Sequence, residues 1–459
     1  MACSDREARP LHVAIVGGGL CGLALAIALK KRSISFTIYE VRASFTEIGA
    51  GINLAPNSLE AFNLIDPSLG EVIFKLATRN PPGQEDVWLS VRLGAPTQQF
   101  EDAKLLVDIQ APPTGNTTVS RNELLREMAG RINPDAARFK KKVVRLDQTA
   151  DEATITFEDG SKEHADLVVA CDGAHSALRR LILGAENPAA YAHYSQMGGY
   201  RAIFPMEKHE EAVGVVIAHC GQIWSGPAGY IIMYPINGGK DVNIGVWPWK
   251  KGEWKHDTWV LENQKPQMMD DFGAWGPTVK KMLGMMSDET QFWATHHHSV
   301  KPKSYFNGRA IIIGDAGHAM CPHQGQGAAQ SMEDAFVMAQ VIQDLADPQI
   351  DPTRSVKERI EAALAGYEEV RRARFERVLD TSYEAMSFWS DFWRPDLTEA
   401  DLEQFRIDAQ ERMAWIWDPQ LEDQGRKACA IARRLLSHGA DTTSRTDAAN
   451  LPATYHDTE

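Results

Sequence analysis

The sequence predicts an α/β protein: a Rossmann-type β-α-β dinucleotide-binding unit, interleaved along the chain with a second lobe built on a β-sheet, and followed by a helical C-terminal region. Three observations carry this. An apolar strand, a glycine turn and an apolar helix open the chain. Two further buried strands with acidic ends, ADLVVACD and RAIIIGD, occur far downstream. Between those two the pattern changes to short runs rich in β-branched and aromatic residues, as in a sheet-containing lobe.

The elements follow in order. LHVAIV, from Leu11 to Val16, reads as a strand, and a helix runs from about Leu20 to Lys30. A second strand, FTIYE, ends at Glu40. The helix segment LALAIAL is apolar on every face, which suits burial between a sheet and other protein. From Ser44 to Leu125 the signals are an IGAGI turn, a short helix near Ser58 to Leu64, and loops rich in Pro and Gly from Asn80 to Pro113. VVRLDQ and ATITFEDG then form a strand pair, and ADLVVACDG, from Ala165 to Gly173, rejoins the first sheet. YRAIFP, AVGVVIAH, YIIMYPI and VNIGVWPW read as strands of the second lobe. RAIIIGD, from Arg309 to Asp315, returns to the parallel sheet, and a long helix from Ala328 to Leu345 carries an apolar stripe of Met332, Ala335, Phe336, Ala339 and Ile342. Pro352 to Leu436 is helical in composition, and the polar tail after His438 frays. The nucleotide lobe is thus expected from residues 1–75, 121–185 and 301–350, the second lobe from 76–120 and 186–300, and the helical region from 351–459.

Composition sets the class of partner. The 459 residues hold 48 Lys and Arg against 62 Asp and Glu, a net charge of −14 that repels nucleic acid and anionic membranes. No apolar run approaches the ~20 residues of a membrane span, and the start, MACSDREARP, has no signal-peptide core, so a cytoplasmic location is expected. The six cysteines form no CxxC pair and read as reduced thiols.

Three motifs carry the chemistry. Gly17-x-Gly19-x-x-Gly22 follows a strand and opens a helix, so its backbone can approach a pyrophosphate at the helix N-terminus. Glu40 closes the second strand, where a carboxylate accepts hydrogen bonds from ribose hydroxyls. CDGAHSALR places Asp172, Gly173, Ser176 and Arg179 at a strand end, where the alternative to a ligand contact is a plain helix cap. GDAGHAMCPHQGQGAAQSMEDA places Asp315 at the C-terminal end of a parallel strand, and its glycine turn precedes a helix whose positive end faces an anionic group.

In this order the three motifs resemble those of the single-component FAD-dependent aromatic hydroxylases, the family of para-hydroxybenzoate and salicylate hydroxylases. The similarity extends from Val13 to Trp417, and Gly317 stands where the family more often has Ala. IGAGINLAPNS, EDVW, VSRNELL, the YRA segment and AMCPHQGQGA look most like salicylate 1-monooxygenases. The resemblance implies bound FAD. Gly17, Gly19, Gly22 and Gly51, with Glu40, Arg42 and Arg121, would serve its pyrophosphate and adenosine side. Asp315 would hold the ribityl chain, and Gly325, Gly327 and Ala328 would line the flavin pyrimidine. Asp172 is linked in the family to both FAD and the nicotinamide cofactor. No second GxGxxG follows a strand, so NADH or NADPH would bind transiently rather than in a domain of its own.

The implied reaction is reduction of the flavin by NAD(P)H, addition of dioxygen to give a flavin hydroperoxide, and attack by an ionised phenol ring; salicylate would lose carbon dioxide and become catechol. The partners expected are therefore a small aromatic acid or phenol, dioxygen and NAD(P)H, and a homodimer is compatible with the sequence. Arg201 is the candidate cation for a carboxylate or phenolate. His323, beside the flavin loop, is the candidate for moving a phenolic proton. Tyr230 and Tyr234 lie four apart on a strand and share a face from which hydroxyls could orient a ring. Tyr230 stands where a salicylate hydroxylase has histidine, whereas Arg201 and Tyr234 are shared with fungal dearomatising hydroxylases, which form the second reading. A flavin-binding sensor without turnover is the third. No metal site is expected, since His296, His297 and His298 alternate faces and lack acidic or thiolate partners at ligand spacing. The segment with Trp247, Trp249, Trp254 and Trp259 reads as a loop packed on the sheet, with a substrate entrance or subunit contact as alternatives.

Overall fold

The computed structural model describes residues 10–46, 51–249, 252–347, 350–351 and 353–437. The tail after His438 and Glu47 to Ala50 of the IGAGI turn lie outside them. A six-stranded sheet runs in the order Phe306–Asn307, Ala310–Ile312, Leu167–Ala170, His12–Val16, Ser35–Glu40, Ala137–Phe139. All its pairings are parallel except that of the short edge strand Phe306–Asn307. The register sets Val16 beside Ala170 and Ala170 beside Ile312. Three adjacent parallel strands therefore end together, and the turns that follow them hold the GxGxxG, DG and GD motifs. Ligands of open parallel sheets bind at this edge.

The first helix, Leu20–Lys31, is buried from Leu20 to Leu29, as its all-round apolar sequence requires. It packs against the helix Gly327–Ala346. That second helix does more than present a stripe. Met332, Ala335, Phe336, Ala339 and Ile342 are buried, and so are Gln330, Glu333 and Asp334 on its other side. The polar face is covered by Arg371 and Arg374 of the helix Val356–Ser390, which opens with a capping box between Ser355 and Glu358.

An eight-stranded sheet forms the second lobe, with His193–Pro205, Asp241–Pro248 and Gly229–Ile236 paired antiparallel at its centre. Two expectations fail here. The stretch from Asn80 to Pro113 is not all loop: Val87–Leu93 and Leu105–Gln110 form a hairpin on the edge of this sheet. Its polar residues hid the pattern because Ser90 and Arg92 are satisfied within the protein, by Asp108, Gln222 and a backbone carbonyl. AVGVVIAH is not a strand. Met206–Val213 and Val215–Ala218 are helices hinged at Gly214, whose φ of +82° breaks one from the next. The preceding MEKHE residues favour helix and outweigh the β-branched run. A helix over Pro67–Leu76 was also not expected, although Asp66, which accepts from the Ser68 amide, and Pro67 form a readable helix start.

The C-terminal helices Val356–Ser390, Glu399–Trp417 and Leu421–Ser437 pack back over both lobes. Trp389, Phe405 and Met413 join Trp88, Leu89 and Val91 of the hairpin in one apolar core. No described helix is long and apolar enough to cross a membrane.

Candidate functional site

One cavity extends from the edge of the parallel sheet into the second lobe. Its sheet end is made largely of backbone. Gly17 has φ +107°, and a Cβ there would lie 2.3 Å from the carbonyl oxygen of Cys171; a Cβ on Gly22 would lie 2.0 Å from the Gly17 oxygen. Only glycine permits this turn, which brings the N-terminus of the first helix to the cavity with no side-chain cap on its amides. The long helix Gly327–Ala346, packed against the first, also begins at this cavity without a side-chain cap. Gly325 precedes it in the left-handed region at φ +66°. Two sets of free helix-end amides thus face one cavity, which suits an anionic, extended ligand.

The cavity brings together Gly19, Gly51, Arg121, Asp315, Gly325, Gly327 and Ala328 at this end, and Arg201, Tyr234 and His323 at the other. Five of the residues singled out in the sequence stand differently. Glu40 is buried, and its carboxylate accepts from the amides of Gly18 at 2.7 Å and Arg42 at 2.9 Å, so it holds the glycine turn. The Arg42 guanidinium donates to the Thr46 carbonyl and does not line the cavity. Asp172 accepts from Ser176 Oγ and from the amides of Ala177 and Leu178, the geometry of a helix cap. Burial pushes its carboxyl up in spite of those hydrogen bonds. Arg179, fully buried, donates to the carbonyls of Ala189, Ala316 and Gly317, and so ties the DG segment to the GD segment. Tyr230 sits behind His323 rather than on the cavity wall.

At the second-lobe end the walls are apolar, with Ile223, Ile232, Trp247, Trp389 and Met413. The Arg201 guanidinium lies 5.5 Å from the Trp247 ring and 5.7 Å from that of Trp293. Desolvation by the surrounding walls lowers its pKa although the side chain is open to solvent, and a guanidinium stays protonated in proteins. His323 is 4 % exposed. Burial, then the charge of Arg201, pushes its imidazole down to about 3. Burial pushes the Tyr234 phenol up to about 12 and that of Tyr230 well above its ordinary value. Tyr234 donates to the Gly51 carbonyl at 2.9 Å, which joins the two ends of the cavity. In the neutral range Arg201 is thus positive among neutral phenols and a neutral imidazole, with the charge of Arg121 close enough to act on it.

The histidine run His296–His298 has structural partners. His296 stacks on Trp259 with ring centroids 3.6 Å apart, His297 stacks on Tyr383, and His298 Nδ1 accepts from the Ala319 amide. No group of metal-ligating side chains occurs among the described residues. The tryptophans divide: Trp247 lines the cavity, whereas Trp254 and Trp259 pack on Phe292 and His296.

Residues 10–382 match the model of a family described as FAD binding domain. A 6-methylsalicylate 1-monooxygenase of Aspergillus terreus is 32% identical over 425 residues, covering 91% of this chain and 91% of its own. A salicylate hydroxylase of Pseudomonas putida is 31% identical over 441 residues, covering 94% of this chain and 96% of its own. This chain belongs to the FAD-dependent aromatic hydroxylase family. Its fold is similar to that of a salicylate hydroxylase solved as a substrate complex, with a TM-score of 0.77 and 28% identity over 91% of this chain and 98% of the other.

As an FAD-dependent monooxygenase of this family, the protein has a cavity whose donors fit FAD. The uncapped N-terminus of the first helix, the Arg121 side chain and the Gly325 to Ala328 turn all line it, so it offers both amide donors and a cation to an anionic dinucleotide. What sequence reading missed in this hydroxylase is the closing wall. Trp389 donates from Nε1 to the His323 carbonyl at 3.2 Å, and Met413 comes from the next helix. Neither follows a motif, and only the apolar run AMSFW around Trp389 hints at burial.

Proposed function

We propose that the protein hydroxylates a small anionic phenol, taking electrons from NADH or NADPH, and that salicylate is its substrate, converted to catechol with loss of carbon dioxide. Bound FAD supplies the redox and oxygen-transfer chemistry, and the protein supplies orientation and exclusion of water. The observation that carries the reading is the placement of Arg201, with Tyr234 and His323, at the apolar end of a cavity whose other end is the FAD cradle. Arg201 binds a carboxylate or phenolate, and the aliphatic and indole walls hold the ring. The likeness to salicylate and 6-methylsalicylate monooxygenases supports this substrate class. The proposed location is the cytoplasm, where the five described cysteines remain thiols.

The test is NADH and NADPH oxidation across a panel of hydroxybenzoates with product identification. Catechol and carbon dioxide from salicylate support the assignment, and peroxide alone from every compound overturns it. A ring-hydroxylated, dearomatised ketone from a larger phenol would select the second reading, which is favoured by Arg201 and Tyr234 standing together in the cavity. Arg201→Ala is expected to weaken binding of the aromatic acid by on the order of 10- to 100-fold while FAD stays bound, because a hydrogen-bonded charge is worth roughly 1.5–3 kcal/mol. Titration of the holoenzyme, following flavin absorbance, checks this; equal loss of flavin and acid would refute the role.

A further inference from the structure

The sheet face at the second-lobe end of the cavity carries a polar side chain that no motif marks. Asn243 lines the cavity and is half-buried, and its amide has no hydrogen bond among the described residues. It lies on the strand Asp241–Pro248 with Gly245 and Trp247. Residues two apart on a strand share a face and are about 7 Å from each other. Gly245 and Trp247 also line the cavity, so all three look into it. A Cβ on Gly245 would lie 2.9 Å from Trp247 Nε1, and one on Gly199 would lie 2.5 Å from Trp247 Cε3. The indole therefore lies across two glycine backbones of neighbouring strands and forms part of the floor. That floor is polar at both ends. Arg201 pairs with Gly245 across the strands, and Gly199, two residues earlier, pairs with Trp293. The Arg201 guanidinium, 5.5 Å from the Trp247 ring and 5.7 Å from that of Trp293, thus stands on the Trp247 side of Gly245. Asn243 stands on the other side. Between them lie Gly245 and, opposite it, Ile232. Tyr234 is opposite Asn243, but its hydroxyl donates to the Gly51 carbonyl, so the Asn243 amide is the free donor at this end. A ring held through its anion by Arg201, lying over Gly245 and Ile232, carries a substituent to Asn243.

We propose that Asn243 is a specificity-determining residue: its amide hydrogen-bonds a hydroxyl on the ring whose carboxylate Arg201 holds, so the site selects a hydroxylated aromatic acid over the unsubstituted one. The inference deepens the proposed function and rests on it for the identity of the acid. The amide offers N–H donors and a carbonyl acceptor, and a hydroxyl offers the same pair, so the two groups satisfy each other. Arg201 can only donate, and it serves the anion. An unsubstituted ring brings the amide no partner and shields it from water, which costs affinity. Recognition is thus divided between a cation for the charge and a neutral amide for the substituent.

The test is titration of the holoenzyme with salicylate and with benzoate, read from flavin absorbance. It compares the wild type with Asn243→Leu, which removes donor and acceptor at nearly the same volume. Salicylate is expected to weaken by about 10-fold in the variant, and benzoate to change by no more than about 2-fold. A preference for salicylate over benzoate that stays within about 2-fold of the wild-type ratio overturns the proposal, whether both acids bind as before or both weaken. Where Asn243→Leu releases flavin, Asn243→Ala, which brings no added bulk, carries the same comparison. Flavin loss from both variants assigns Asn243 to the FAD cradle and also overturns the proposal. If neither acid binds the wild type, the substrate assignment fails and takes this inference with it, an outcome separable from the others because it precedes any substitution.

Discussion

Gly22→Ala is expected to purify without flavin. The added Cβ would lie 2.0 Å from the Gly17 carbonyl oxygen and 3.3 Å from Ile15 Cγ2, so the turn must move. It has nowhere to go: a Cβ on Gly17 would already touch the Cys171 carbonyl, and the Gly17 amide donates to the Tyr39 carbonyl at 2.8 Å. Moving Gly17 therefore breaks the seam between three strands and pulls the first helix's amides from the pyrophosphate. The loss should reach about 100-fold in FAD affinity, roughly 3 kcal/mol. The flavin-to-protein absorbance ratio after gel filtration measures it directly. Stoichiometric, tightly held flavin in this variant would show that the turn tolerates a methyl group and that the cradle is placed wrongly.

Arg371→Leu should be the most destabilising single change in the C-terminal helices. Arg371 is fully buried, donates to Glu333 at 2.6 Å and to Asp334 at 2.9 Å, and also meets Gln330. Asp334 in turn accepts from the Gly314 amide and pairs with His318, both in the GD segment. Burial alone would raise both carboxylates, but the charges of Arg371 and its neighbours outweigh it and hold them below the ordinary carboxylate range. Breaking one partner of such a network costs about 3–5 kcal/mol, because the remaining charges stay buried. A carboxylate held low in the folded state contributes stability that is full above its unfolded pKa and is lost progressively as pH falls towards the folded one, so the wild type should hold the full contribution down to about pH 5. Without Arg371 at least one carboxylate shifts up, and the defect should be largest at neutral pH and shrink as acid neutralises it. Thermal melting of both proteins from pH 4 to 8 checks the sign. A variant equally destabilised at every pH would show lost packing rather than lost charge compensation.

The two residues differ in how readable they were. Gly22 belongs to a local pattern, since a strand, three spaced glycines and a helix lie within a dozen residues and the steric reason for each glycine acts inside that unit. Arg371 carried no signal. It lies in a long helix with many charges, and only the fold places it against Glu333 and Asp334, which in sequence look like the polar side of an amphipathic helix. The same distinction runs through the cavity. Asp315 and Gly325 to Ala328 follow from strand-end and helix-start chemistry. Asp172 belongs to an equally clear motif, but whether its carboxylate faces a ligand or caps its own helix depends on the loop's path, and it caps the helix.

The sequence by itself determined the backbone framework at the sheet edge of this protein, because tight turns and helix starts are set by short runs of glycine and by strand and helix ends. It also determined that a positive side chain, a histidine and two tyrosines stood available for an anionic ring. Only the tertiary structure decided how these act. Tyr230 and His323 are 93 positions apart and meet at 2.7 Å, a contact between lobes that no local stretch contains. Trp389 and Met413 line the cavity from helices that follow the last motif, and burial together with the charge of Arg201 lowers the pKa of the His323 imidazole. Desolvation and pairing depend on what surrounds a side chain from every direction, and no local stretch of sequence contains that information.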